Sequence, residues 1–125
     1  MRKYIITPAL LAIVCMVMCH CTFNRKASVA ANEYLIQGEL ANLPDSIVIG
    51  LYEEDGNILN CVLRDTLMNG QFSFRDTVST TRKMLIMSDN RGFPGTWLEV
   101  WIAPGEYIEI KGQDKLVKTW EVVSA

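Results

Sequence analysis

The chain has 125 residues, 50% of them hydrophobic and 21% charged, which is typical of one small globular domain with a short additional segment and excludes a second domain. Its net charge is −2 and its basic residues are scattered, so the chain lacks the basic patch that nucleic-acid binding requires. A domain of this size builds a modest core, and we expect no large enclosed active-site cavity.

The first 21 residues have the layout of a secretory signal. Arg2 and Lys3 precede an apolar run from Ala9 to Cys19, and a basic start followed by a short hydrophobic core directs export. The run, about 11 residues long, is too short to cross a bilayer of roughly 30 Å as a helix. A buried N-terminal helix is the alternative, which we disfavour because the run is apolar all round. We expect a linker at residues 22–32 and the folded domain at residues 33–125.

Cysteines at the end of the apolar run predict a lipid anchor. A lipoprotein signal places its acylated cysteine at this point, and we prefer Cys21 because it is the last cysteine before the linker, with Cys19 as the alternative. His20 and Met18 precede these cysteines, whereas such signals favour a small residue there. Two acyl chains on one cysteine would tether the domain stably to the membrane. We therefore expect an exported, lipid-anchored protein of the cell envelope, on the periplasmic or cell-surface side.

Alternating and apolar runs predict the first three strands. Residues 34–40 form the first, in which Gly38 indicates a bulge or a close approach of the backbone. Residues 47–52 are apolar on both faces and predict a central strand. The hairpin signal Asp55-Gly56 follows, and residues 58–67 form the third strand.

The hairpin of the second and third strands predicts one face of the core. With a two-residue turn, alternate residues of the two strands share that face, because side chains alternate between the faces of a sheet. The residues on it are Leu59, Cys61 and Leu63, opposite Tyr52, Gly50 and Val48.

The stretch from Asp65 to Phe74 predicts a further hairpin. Asn69 and Gly70 tolerate positive φ at both centres of a type I′ turn, whose twist matches the strands that it joins. Phe72 lies two residues before Phe74, so both rings share a face that we expect to be buried. Each buried ring contributes roughly 1.5 to 3 kcal/mol to stability.

Gly and Pro residues mark turns that divide the rest of the chain into short segments. Residues 84–87 predict a fifth strand, with one turn of helix as the less favoured alternative. Residues 90–96 predict a loop, and residues 120–123 a short last strand. No segment has helical periodicity of useful length. We therefore predict an all-β fold, a small antiparallel β-sandwich or partly open barrel of about seven or eight strands, preceded by a signal segment.

A third hairpin is predicted around Pro104-Gly105, between strands at residues 97–103 and 107–112. The register follows from the apolar pattern, because only a three-residue loop, Pro104 to Glu106, sets apolar residues opposite one another. The expected pairs are Ile102 with Ile108, Val100 with Ile110, and Glu99 with Lys111.

The predicted domain lacks the residues of common catalytic sites. Its sequence contains no histidine, since the single one is His20, and this excludes Ser-His-Asp and Cys-His catalysis and histidine-bound zinc. Cys61 is the only cysteine of the domain, which excludes a disulfide framework and a thioredoxin-type Cys-x-x-Cys centre. We predict that Cys61 is a small core residue, with a reactive thiol as the alternative. We expect no catalytic residue, no metal and no cofactor.

Aromatic side chains are the candidate ligand contacts. Flat rings hold a sugar or a peptide with large contact area at low entropic cost, and packing in the core or at its rim is the alternative. The acidic cluster at residues 53–55 lacks the alternating ligand spacing of a calcium loop, so we predict a solvated turn. The candidate aromatic residues are Trp97, Trp101, Tyr107 and Trp120.

Several strand and turn motifs resemble one known module. It is the N-terminal domain of unknown function of Bacteroidetes envelope lipoproteins, which precedes a thioredoxin-like, peroxiredoxin-related (AhpC/TSA) domain. The resemblance covers about residues 33 to 123, and it implies export through a lipoprotein signal. The redox chemistry of that family belongs to the downstream domain, so no catalytic residue carries over to this chain. The motifs are Tyr34–Gly38, the Leu43–Asp45 turn, Ile49–Tyr52 with Asp55-Gly56, Asp65 with Asn69–Phe74, and Pro104–Gly112.

These observations predict a non-catalytic, membrane-tethered β-domain of the cell envelope. The resemblance implies that it is the accessory or recognition part of a thiol-disulfide lipoprotein, with a thioredoxin-like domain as its candidate partner. The alternative is a free-standing module that binds a glycan or a peptide.

Overall fold

The computed structural model describes residues 28–124, which form eight β-strands and one short 3₁₀ helix. The strands are β1 (Glu33–Leu40), β2 (Val48–Asp55), β3 (Ile58–Thr66), β4 (Gln71–Thr77), β5 (Arg82–Met87), β6 (Leu98–Ile102), β7 (Tyr107–Gly112) and β8 (Glu121–Ser124), with the 3₁₀ helix at Val117–Thr119. Sheet A has the strand order β4-β1-β7-β8 and sheet B the order β3-β2-β5-β6. The predicted all-β sandwich is thus confirmed, whereas the predicted signal at residues 1–21 lies outside the described residues.

Strands β1 and β7 form a parallel pair, while the other strand pairs of the described residues are antiparallel. Leu35 lies opposite Tyr107 at one end of this parallel pair, and Leu40 lies opposite Gly112 at the other. Parallel strands require a long crossover connection rather than a tight turn. The intervening chain provides it by building the whole of sheet B and the edge strand β4 of sheet A.

The core lies between the inner faces of the two sheets. Phe72 and Phe74 are both buried, as predicted, and their ring centroids lie 5.6 Å apart. The tilted arrangement of these rings is one that aromatic pairs favour. Fully buried aliphatic side chains of both sheets complete the core, among them Ile36, Ile108 and Ile110 of sheet A and Ile49, Leu51, Ile86 and Ile102 of sheet B.

The predicted core face of β2 is wrong. Ile49 and Leu51 are fully buried in the core, so Gly50 and Tyr52, which alternate with them, belong to the outer face of sheet B. The sequence did not separate the two faces, because both are apolar. The Tyr52 ring lies so close to Gly50 that a Cβ at position 50 would clash with it, and this packing shields the outer face of β2.

The predicted burial of Cys61 is also wrong, since this thiol is exposed. Cys61 pairs with Tyr52 as the two-residue turn implies, but the pair lies on the outer face. A register shift follows, in which Val62 has no direct partner on β2 and Leu63 pairs with Leu51. This β-bulge turns the later part of β3 towards the core, because one extra residue exchanges the two faces of a strand.

The turn at Asn69-Gly70 has the predicted conformation, but its strands do not form a hairpin sheet. Asn69 and Gly70 have φ values of 50° and 75°, as a type I′ turn requires. Met68 and Gln71 exchange backbone hydrogen bonds of 3.1 and 2.9 Å. Beyond this bridge the strands separate, because β3 pairs with β2 in sheet B and β4 pairs with β1 in sheet A. The turn is therefore a corner between the two sheets.

The predicted hairpin at Pro104-Gly105 is also wrong, because the turn forms but its two strands belong to different sheets. Gly105 has a φ of 79°, and the Glu106 N–H donates to the Ala103 carbonyl at 3.1 Å, as in a type II turn. Turns of this type splay the strands that they join. Consequently β6 belongs to sheet B and β7 to sheet A, and the predicted cross-strand register does not occur. The apolar residues of both strands still meet, because each strand turns them into the shared core.

The end of the predicted linker is attached to the edge of the domain. A guanidinium nitrogen of Arg75 donates to the Ser28 carbonyl at 3.2 Å, and the Val78 N–H donates to the Asn32 carbonyl at 2.9 Å. The chain therefore enters the sandwich at the end where β4 finishes. Among residues 28–124, no helix has the length and apolar character needed to cross a membrane.

Candidate functional site

A polar surface groove lies over sheet A, on the side that faces away from the core. The parallel register sets Gln37 beside Glu109 and Glu39 beside Lys111. These residues alternate with core residues along their strands, so their side chains share the outer face. Two β-strands that are remote in sequence thus bring four polar side chains together.

Tyr107 forms the centre of the hydrogen-bond network in the groove. Its hydroxyl oxygen lies 2.8 Å from Gln37 Oε1 and 3.0 Å from Glu109 Oε1, so one phenolic proton serves two acceptors. Burial raises the pKa of Tyr107, and the hydrogen bond and negative charge of Glu109 raise it further. The hydroxyl therefore remains a donor at neutral and mildly alkaline pH, and it holds the two acceptor side chains in place.

The corner between β3 and β4 forms one wall of the groove, which encloses about 350 Å³. Asp65, Met68 and Gln71 contribute to this wall. A carboxylate oxygen of Asp65 accepts a 2.8 Å hydrogen bond from the Ser73 N–H, which fixes the corner against β4. The groove is open to solvent and is bounded by sheet and turn backbone rather than by a long loop.

The charge of the groove is negative. Among the described residues that line it, Glu39, Asp65 and Glu109 are acidic and Lys111 is basic, so three negative charges and one positive charge leave a net −2. A groove lined by one sign of charge attracts ligands of the other sign.

A second polar cluster lies on the outer face of sheet B. The Arg64 guanidinium lies beside the Cys61 sulfur and the Tyr52 hydroxyl, and both neighbours raise the pKa of Arg64. Burial is the main cause that raises the pKa of Tyr52, and nearby negative charge adds to it, while Arg64 opposes it. The Cys61 thiol also lies 3.4 Å from the Leu63 carbonyl oxygen.

The structure does not bring the four candidate aromatic residues together at one place. Trp97 and Trp101 are 46% and 61% exposed, and Trp101 pairs with Lys83 at the edge of sheet B. Tyr107 and Trp120 are buried, and Tyr107 lies on the other sheet. The Trp120 ring N–H donates to the Asp114 carbonyl at 2.8 Å, a contact that anchors the ring to its own loop. Only Tyr107 of the four contributes to the groove.

The acidic cluster at residues 53–55 forms ion pairs with β5 rather than a metal site. Glu53 lies 2.6 Å from an Arg82 nitrogen, and Glu54 lies 3.5 Å from Lys83 Nζ. Within residues 28–124, no group of three or more His, Cys, Asp or Glu side chains could hold a metal ion. The predicted lipidation sites, Cys21 and Cys19, lie outside the described residues.

Sequence reasoning missed Gln37, Glu39, Glu109 and Lys111 as site residues. The signal was present, since polar residues recur at every second position over Gln37–Glu39 and over Tyr107–Lys111. Recognising the site also required the parallel pairing of β1 and β7, which cannot be predicted from a local turn motif. The chemistry that the groove offers is hydrogen bonding and charge attraction.

In comparisons with known proteins, no family model, curated protein or solved structure matches this chain.

Proposed function

We propose that the chain is a non-catalytic recognition domain of the cell envelope, which holds a basic, extended peptide segment in the groove over sheet A. The observation that carries this proposal is the groove itself, with its net negative charge and its network centred on Tyr107. Carboxylates attract lysine and arginine side chains, while amide and hydroxyl groups suit the polar backbone of an extended peptide.

A peptide fits the groove better than a glycan. Sugar recognition by aromatic residues relies on exposed ring faces, and the rings of Tyr107 and Phe72 at the groove are buried. The other side chains that reach the groove are mostly polar, and the charged ones are mainly acidic. Such side chains match a ligand with well-spaced cationic groups, and an acidic ligand would be repelled.

The membrane tether and the partner domain complete the proposal. The sequence motifs support an accessory role beside a thioredoxin-like domain, and the leader supports a lipid anchor at Cys21 or Cys19. A chain anchored at Cys21 could place Ser28 at most about 25 Å from the anchor, since an extended chain spans at most roughly 3.6 Å per residue. In this arrangement the domain would present or receive its ligand close to the membrane surface.

Peptide binding is tested with the soluble chain from Ser28 to Ala125, because residues 28–124 contain both sheets and the core described above. Fluorescence anisotropy of labelled octalysine should report binding that added salt weakens. Octaglutamate should not bind. Glu109→Gln should weaken octalysine binding by roughly 2- to 5-fold, the range of an exposed charge pair. Glu99→Gln is the matched control, since the same charge is removed from an exposed position on β6 of the other sheet.

Two outcomes would contradict the proposed ligand. Equal binding of octalysine and octaglutamate, or equal loss in Glu109→Gln and Glu99→Gln, would mean that the groove does not select the peptide. Binding of a neutral oligosaccharide that Tyr107→Phe removes would favour the glycan alternative instead.

The accessory role is tested separately, by sequencing the DNA that follows the codon for Ala125. A thioredoxin-like reading frame there would support the accessory role. Unrelated genes there would favour a free-standing binding module.

A further inference from the structure

Strand β3 presents an apolar edge that no other strand covers in the described residues. Sheet B ends at β3, so one side of this strand has no neighbouring strand. Its side chains are unusually apolar for such a position, with Ile58 64%, Leu59 42% and Val62 39% exposed. An exposed apolar edge strand is a template for pairing with another strand.

The other edge strands in the structure are shorter than β3, and the exposed face of β4 is polar. At nine residues β3 is the longest, against seven in β4, five in β6 and four in β8. The exposed residues of β4 are polar or charged, as is usual where a sheet edge must resist association. Strand β3 lacks this protection between Ile58 and Val62.

We propose that two copies of this chain associate through antiparallel pairing of their β3 strands, about a two-fold axis at Asn60. In this register Ile58 lies opposite the partner's Val62, and Leu59 lies opposite the partner's Cys61. The pairing joins the two copies of sheet B into one continuous eight-stranded sheet. A two-fold axis makes each contact occur twice, so a single short segment supplies both sides of the interface.

The backbone of β3 supports this register. A two-residue turn sets Asp55 opposite Ile58, and residues that flank such a turn exchange backbone hydrogen bonds. The N–H and C=O groups of successive residues point to opposite edges of a strand. Since Ile58 directs its groups towards β2, Leu59 and Cys61 direct theirs away from β2, towards the uncovered edge. These are the two residues that the register sets opposite one another across the axis, where they can exchange hydrogen bonds with the second copy.

Charge complementarity favours a second copy over an unrelated strand. Arg64 follows the apolar part of β3, and in this register it approaches the partner's turn after Asp55. Asp55 is exposed at the start of that turn, so its carboxylate is available to the guanidinium of the second copy. The β-bulge at Val62 limits the flat part of the edge to a short ladder. A short ladder suits a weak, reversible dimer rather than a fibre.

Sedimentation of the Ser28–Ala125 chain tests the association. It should show a concentration-dependent dimer, and Leu59→Lys should raise the dimer dissociation constant at least tenfold, because it sets a charge into the new ladder. Val123→Lys is the matched control, since it places the same charge on an exposed apolar residue of the edge strand β8. Persistence as a monomer at millimolar concentration would overturn the proposal. So would equal effects of the two lysine variants.

A disulfide at the two-fold axis tests the register. In Asn60→Cys combined with Cys61→Ser, the two introduced thiols face one another across the axis, at a separation that a disulfide can bridge. Oxidation by copper phenanthroline should cross-link this variant at least tenfold faster than Ser73→Cys with Cys61→Ser, which carries its thiol on the edge strand β4. Cross-linking no faster than this control, or faster cross-linking of the native Cys61, would overturn the register centred on Asn60.

Discussion

Gly38 lies directly opposite Phe72 in the β1/β4 pair, and the Phe72 ring occupies the space that a Cβ at position 38 would need. The close approach that the sequence predicted at this glycine is therefore made by an aromatic side chain. Gly38→Ala should destabilise the domain by about 1 to 3 kcal/mol, the usual cost of overpacking a core. Equilibrium unfolding in urea measures this change.

The matched control for this substitution is Gly95→Ala, in a loop where a Cβ would meet no neighbouring atom. It should change the free energy of unfolding by less than about 0.5 kcal/mol. Similar effects at both positions would show that the Phe72 ring does not require glycine beneath it.

Removal of either core phenylalanine should bring the domain close to unfolding. Phe72 and Phe74 are both buried and in contact with one another. Phe72→Ala or Phe74→Ala should cost roughly 3 to 5 kcal/mol, because each leaves a large cavity. A small domain has only about 5 to 15 kcal/mol of stability in total. Thermal and urea unfolding provide the measurement, and a loss below about 1 kcal/mol in both variants would contradict the core.

The thiol of Cys61 should react in the folded protein. It is exposed on the outer face of sheet B, so iodoacetamide should label it in the native Ser28–Ala125 chain within about threefold of the rate in denaturant. Labelling that is much slower in the native state would contradict the exposed position. The same chain should not accelerate insulin reduction by dithiothreitol, because a lone thiol has no second sulfur to resolve a mixed disulfide.

Local chemistry predicted the strands and turns of this fold well. Asn69-Gly70 and Pro104-Gly105 form turns where the sequence placed them, because backbone preference is a local property: Asn and Gly tolerate positive φ, and the ring of Pro fixes a negative φ. Sheet membership was not predictable in the same way. Both turns connect strands of different sheets, and that outcome depends on which distant strands bury the apolar faces best.

The exposed position of Cys61 shows that alternating apolar residues do not always identify the buried face of a strand. Leu59, Cys61 and Leu63 alternate as core residues do, but β3 lies at the edge of sheet B, and the bulge changes the face after Cys61. The groove escaped prediction for a related reason. Tyr107 and Gln37 are 70 residues apart, and a parallel strand pair leaves no turn motif between them.

Acylation of the leader remains a prediction that a simple substitution tests. The basic start and the cysteines at the end of the apolar run predict that labelled fatty acid enters the full chain and that Cys21→Ser abolishes its incorporation. Retention in Cys21→Ser together with loss in Cys19→Ser would identify Cys19 as the acylated residue. If neither substitution reduces incorporation, the lipoprotein hypothesis is wrong.

Tyr34 should make the stability of the domain fall at alkaline pH. Burial in the core is the main cause that raises its pKa from 10.0 to about 12; the negative charge of Asp76 adds to this, and Arg82 opposes it. Below pH 10 the phenol is protonated in both the folded and the unfolded chain, so its contribution to stability is fully present. Between pH 10 and about 12 the unfolded chain releases this proton while the folded chain retains it, so the free energy of unfolding falls.

Tyr34→Phe isolates this effect, because phenylalanine fills the same space without a titrating group. The free energy of unfolding, measured in urea at intervals between pH 8 and about 12, should decline less steeply in this variant than in the wild type. Tyr52→Phe serves as the control, since Tyr52 lies partly exposed on the outer face and should have a smaller influence on the slope. An unchanged slope in Tyr34→Phe would mean that the folded chain does not retain the Tyr34 proton, and the burial of the hydroxyl would then have to be reconsidered.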